Sequence, residues 1–131
     1  MEDSASMHAH AAVVIIDQPG PYEAVRSVLS DAGFQITGAA ASLTDGIALL
    51  RHHRPDLAIV DLAVEGLAAV HALHEAAPDC ALLVLSRQAD LAEAVVLTGA
   101  LAAIDPRDLG RLDAAVRNVR VRLDQPVAQR R

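Results

Sequence analysis

Aromatic residues are almost missing from this 131-residue chain: Tyr22 and Phe34 stand alone, and there is no tryptophan. Two rings cannot build a base-stacking surface for single-stranded nucleic acid, so that role is excluded and the core has to be aliphatic. Cys80 is the single cysteine, which rules out an internal disulfide and a zinc–cysteine site and fits a reducing, cytoplasmic setting. No apolar run approaches the roughly 20 residues of a membrane helix, so no membrane role is expected. The opening MEDSASMHAHA is acidic and lacks the charged-then-apolar layout of a secretory signal. Lysine is absent as well, every one of the eleven cations being arginine, and the net charge of −6 argues against direct contact with nucleic acid.

What is present is apolar and aliphatic. A content of 53% hydrophobic and 21% charged residues fits one globular domain long enough to bury a real core. The charge is uneven. Residues 1–106 carry four Arg against fourteen acids, net −10, and residues 107–131 carry seven Arg against three Asp, net +4.

Short apolar runs alternate with amphipathic stretches. AVVII (residues 12–16) predicts a strand ending at Asp17 and a turn QPGP, followed by Tyr22, Val25, Val28, Leu29 and Ala32 at helical spacing up to Gly33. FQITGAA (34–40) predicts a second strand, and Ser42 an N-cap for a helix with Leu43, Ile47 and Leu50 inward, closed by Pro55. DLAIV (56–60) and CALLVL (80–85) predict the third and fourth strands, separated by a stripe at Leu67, Val70, Leu73 and Ala77. A short helix with Leu91, Val95 and Val96 leads to ALAAI (100–104) as the fifth strand. In the last helix Leu109, Leu112, Val116, Val119 and Leu123 step by three and four, a stripe expected to face the sheet. Five strand–helix units with strands apolar on both faces predict an α/β fold, a doubly wound five-stranded parallel sheet with helices on both sides in a single domain.

Ligands of such sheets bind beyond the carboxyl ends of the strands, where strand order reverses. Asp17, Asp61 and Ser86 end the first, third and fourth strands, so the fold argument gathers two carboxylates and a hydroxyl on one rim.

The order strand-Asp, strand-Asp, strand-Ser, with GFQITGAAASLTDGIALLRHHRPDLAIVDL, resembles a response-regulator receiver domain of the CheY-like superfamily, with a NarL-type flavour, over roughly residues 12–122. The resemblance implies a flavodoxin-like fold and a signalling role in a two-component phosphorelay. It makes Asp61 the candidate phosphoacceptor of a histidine kinase, Ser86 the residue sensing the phosphoryl oxygen, and Asp17 with Asp61 a candidate Mg²⁺ site. Ile16 stands where the family's first metal-binding acid would be. The family's lysine after the fifth strand has no counterpart, since the aligned segment AAIDP places Asp105 or Pro106 there. Ala103 replaces the aromatic switch residue, and LAVE between Asp61 and Gly66 is a short loop without proline. These departures predict a degenerate receiver that acts through protein contact, with weak Mg²⁺ binding and weak or no phosphorylation; the alternative is an ordinary phosphoacceptor, possibly the N-terminal part of a DNA-binding regulator. Arg87 is the candidate substitute cation.

Residues 1–11 are expected to be a disordered end, 12–122 the receiver-like domain and 123–131 a basic tail. Arg111, Arg117, Arg120 and Val121 are the expected outward surface of the last helix, for a homodimer or an acidic protein partner, a kinase or a downstream regulator. His71 and His74, with Glu75 adjacent, have a zinc-compatible spacing but no further ligand, and His8 and His10 read as part of the disordered end. No nucleophile–base pair supports an autonomous enzyme, and QPGP lacks the backbone donors of a phosphate loop. A small-ligand module of flavodoxin-like fold is the remaining, weaker reading.

Overall fold

The computed structural model describes residues 10–61, 66–87 and 92–125. Strands and helices alternate: β1 (His10–Ile15), α1 (Pro19–Asp31), β2 (Phe34–Ala40), α2 (Leu43–His53), β3 (Leu57–Asp61), α3 (Leu67–Ala76), β4 (Ala81–Leu85), α4 (Ala92–Leu97), β5 (Ala102–Ile104) and α5 (Leu109–Asp124). All pairings are parallel, in the order β2-β1-β3-β4-β5. Strand order therefore reverses between β1 and β3, which is where such a sheet opens a crevice.

Alternation along each strand divides the core in two. Val14, Ile59 and Leu83 face Val25 and Leu29 of α1 and Leu112, Val116 and Val119 of α5. Val13, Val60 and Val84 face Leu50 of α2, Val70 and Leu73 of α3 and Val95 of α4. Burying each such aliphatic side chain is worth about 1.5–3 kcal/mol, so a core that is aliphatic but for Phe34, with Tyr22 packed against it, suffices.

Local chemistry sets the ends of the elements. Ser42 Oγ accepts the Asp45 N–H at 3.2 Å, capping α2 as its position predicts. QPGP, expected as a turn, instead opens α1, with Gln18 as N-cap and proline in the first helical turn, where its fixed φ suits the helix and its missing N–H costs nothing. The strand and helix boundaries move too. β1 starts at His10, inside the segment expected to be disordered, because Asp56 N–H donates to Ala11 O at 2.9 Å and Ala11 N–H donates to Asp56 Oδ2 at 3.0 Å. α5 runs on to Asp124, into the expected tail, because Arg120 and His10 both hold that carboxylate. Leu109 is a further correction: as the first residue of α5 it overhangs the end of β5 and is 43% exposed rather than buried with its stripe. Leu91 of the predicted fourth helix lies outside the described residues.

Candidate functional site

The carboxyl ends of β1, β3, β4 and β5 meet at one edge. Ile15 pairs with Val60, so the next step places Ile16 level with Asp61. Ile16 is 7% exposed and joins the core under α1 and α5, with its N–H donating to Ala40 O at 2.9 Å. A carboxylate at that place would sit beside Asp61; the isoleucine extends the core there instead. Asp17 follows, exposed. Asp61 closes β3 half-buried, opposite Leu85, and Ser86 continues β4 with its N–H donating to Ile104 O at 2.9 Å. Asp17, Asp61 and Ser86 thus lie past or at the ends of strands on one rim, as their positions in the sequence imply.

At the β5 end, Asp105 is clamped by Arg107. Its Oδ1 accepts the Arg107 backbone N–H at 2.9 Å and Nε–H at 3.0 Å, and Oδ2 accepts Nη2–H at 2.7 Å. These bonds, with a contribution from the Arg87 charge, hold the Asp105 carboxyl down at about 2. Arg87 is exposed and its charge bears on Asp105, which places this cation by the end of β5. Ala103, half-buried opposite Val84, brings no ring to the strand. The loop LAVE, residues 62–65, lies outside the described residues, as does His8.

Among the described residues no group of three or more His, Cys, Asp or Glu side chains is placed to hold a metal ion. Asp17 and Asp61 bring two carboxylates to the rim, and Ile16 between the strand ends adds an apolar side chain instead of a third. The HxxH residues serve other ends. His71 Nε2 lies 3.4 Å from Glu75 on the helix surface, and His74 fills the space beside Gly99, where a Cβ would come within 2.6 Å of its ring. Cys80 donates weakly to Ala81 O, and burial, with the Asp56 charge, pushes its thiol up to about 12, which leaves it unreactive.

In the last helix Arg111 is exposed, Arg117 pairs with Asp113 at 3.0 Å, and Val121 is 56% exposed, all facing outward as expected. Arg120 does not. Its Nη1–H donates to Ala32 O at 2.7 Å and its Nε–H to Asp124 at 3.1 Å, over Gly33, whose φ of +88° and close approach leave no room for a Cβ. The guanidinium is drawn inward because the turn between α1 and β2 offers it an uncovered carbonyl. Sequence reading also missed a network at the opposite edge: His10 bridges Asp124 (2.9 Å) and Asp56 (3.7 Å) and stacks obliquely on Phe34. Its members are too far apart in sequence for any local pattern to flag them.

A doubly wound parallel sheet with acids and a hydroxyl along its carboxyl edge defines the class, an α/β module of the flavodoxin-like kind. The family follows from comparison. The model of the response regulator receiver domain matches residues 12–116, and the chain belongs to that family. It is a receiver of the two-component signalling type. A protein-glutamate methylesterase/protein-glutamine glutaminase of Natronomonas pharaonis is 32% identical over 82 residues, a stretch that spans 61% of this chain and 23% of that protein. A response regulator from Thermotoga maritima is 26% identical with a TM-score of 0.72, covering 86% of this chain and 98% of its own. CheY of Borrelia burgdorferi, solved in a CheX-CheY-BeF3-Mg complex, superposes with a TM-score of 0.75 at 16% identity over 84% of this chain and 88% of that one.

Proposed function

We propose that this receiver is an atypical one, which transmits its signal through protein contact with weak or no phosphorylation of Asp61. The observation that carries the reading is the end of β5, where Asp105 or Pro106 stands at the place of the family's lysine and Asp105 is tied to Arg107. Phosphoryl transfer depends on neutralising charge on the transferred group far more than on covalent help. Losing one preorganised electrostatic contact costs on the order of 10²–10³ in rate, and here the position offers no cation of its own, the Arg107 guanidinium beside it being spent on Asp105. Ile16 works in the same direction by withholding a metal-binding carboxylate. Two carboxylates with waters suffice to hold Mg²⁺ weakly, which is the role proposed for Asp17 and Asp61. Ser86 and Arg87 would line the same rim, Arg87 as the nearest cation.

The test is intact-mass measurement after incubation with acetyl phosphate and Mg²⁺. No phosphoryl adduct is expected. An adduct that disappears in Asp61→Asn overturns the reading and restores the ordinary phosphoacceptor.

The contact surface we assign to the side carrying α4, β5 and α5. Leu97 (81% exposed), Val121 (56%), Val96 (47%), Leu101 (44%) and Leu109 (43%) are its exposed apolar side chains, and Arg111 and Arg117 stand exposed on α5. A partner with acidic and apolar groups fits it, whether a kinase, a downstream regulator or a second copy. A homodimer steered by these arginines would weaken with salt and with Arg117→Glu in sedimentation. A salt-independent monomer would remove the second copy as a partner.

A further inference from the structure

At the edge of the sheet opposite Asp61, two cavities of about 570 and about 470 Å³ share Asp56, Pro78, Asp79, Cys80 and Leu123, and so form one trough beneath the amino ends of β3 and β4. The size is that of a small-molecule site. The larger cavity is lined on the apolar side by Leu50, Ala77, Cys80 and Leu123, and on the charged side by Arg51, Arg54, Asp56 and Asp79.

Arg51 and Arg54 differ from four of the other arginines: Arg26, Arg107, Arg117 and Arg120 each hold a carboxylate of this chain. Among the described residues no hydrogen bond or ion pair engages the guanidinium of Arg51 or Arg54. Arg54 is the described non-glycine residue with positive φ, +47°, and its N–H donates to Leu50 O at 3.0 Å, so the backbone that launches the side chain is pinned. The Asp56 carboxylate is already engaged by the Ala11 N–H and faces His10. Asp79 is the acid left on the lip. The Cys80 thiol stays protonated, so the apolar side is neutral.

From this geometry we infer that the trough binds an amphiphilic monocarboxylate, its carboxylate forked by Arg51 and Arg54 and its hydrocarbon portion laid along the apolar side towards Leu123. A guanidinium matches a carboxylate bidentately, and the pairing is charge-assisted. Asp79 selects against polyanions, which would bring more negative charge to the same lip.

Titration of the ¹⁵N-labelled full chain with sodium decanoate, below its micellar concentration, tests this by NMR. Saturable shifts are expected at Leu50, Arg54, Cys80 and Leu123, with none from acetate, which lacks the tail, or decylamine, which lacks the anion. Arg54→Gly, which suits the positive φ and so keeps the fold, should weaken decanoate about 10-fold, the equivalent of losing one charge-assisted bond. Asp79→Asn should tighten it. Decanoate binding that survives Arg54→Gly and Arg51→Gln in a folded protein, equal binding of decylamine, or the absence of saturable shifts at the trough would overturn the inference.

Discussion

At the amino edge of the sheet Asp56 is bonded to the Ala11 N–H and faces His10, which reaches Asp124 at 2.9 Å; at the carboxyl edge Asp17 is exposed, and Ile16 has been taken into the core. Both edges carry carboxylates at strand ends, and at the first the aspartates tie distant parts of the chain together: the start of β1, the start of β3 and the last turn of α5. The contrast separates two reasons for an acid at the end of a strand. One is architectural and shows itself in bonds across elements; the other is chemical and shows itself as an acid that the fold does not need. Asp17, exposed past the end of β1, is the acid we propose to be of the second kind.

The sharpest way to break this comparison is to give the carboxyl edge back its chemistry. Ile16→Asp with Asp105→Lys supplies the missing acid and the missing cation together. Relative to the wild type, the rate of Asp61 phosphorylation by acetyl phosphate is expected to rise on the order of 10²–10³ or more, since each change adds a contact to the charge on the transferred group. Isothermal titration should find tighter Mg²⁺ binding in Ile16→Asp alone. If circular dichroism shows the variant folded and neither quantity moves, Ile16 does not stand beside Asp61.

The architectural claim has a smaller, measurable consequence. Asp56→Ala leaves the part-buried Ala11 N–H without its carboxylate acceptor and should cost about 1–3 kcal/mol in urea denaturation. Asp17→Ala should stay within about 0.5 kcal/mol, as exposed substitutions do. Gly33→Ala belongs with Asp56→Ala: a Cβ at φ +88° is strained and collides with Arg120, displacing it from Ala32 O, for about 1–3 kcal/mol. Equal costs for Asp17 and Asp56 would erase the distinction between the edges.

How far the sequence reveals each edge follows from the range of the interactions. The strands and the inward stripes of Leu112, Val116 and Val119 are legible because they depend on neighbours two, three or four residues away. The rim is legible too, because the fold rule that brings strand ends together needs no knowledge of particular contacts. What escapes is set by pairing across the chain: His10 and Asp124 are 114 residues apart, and no local pattern distinguishes Arg120, turned in upon Ala32, from Arg117, turned out. Leu109 misleads for the converse reason, a perfect stripe position that falls on the first residue of the helix and stays 43% exposed.

The smallest expected effect concerns whether the β5 end is held by one arginine or two. The Asp105 carboxyl is depressed from 3.8 to about 2, first by its bonds from the Arg107 side chain and backbone and last by the charge of Arg87. A depressed carboxyl contributes stability that is fully present above its ordinary value and fades as pH falls through about 2, so nothing changes near neutrality and the pair opens only in strong acid. A ¹³C carboxyl titration should place the Asp105 midpoint near about 2 and return it towards 3.8 in Arg107→Gln, with Arg87→Gln moving it much less. If the order of the two variants is reversed, Arg87 is the principal partner of Asp105. It is then committed to that anion rather than available to a phosphoryl group on Asp61, and the rim loses its candidate substitute cation.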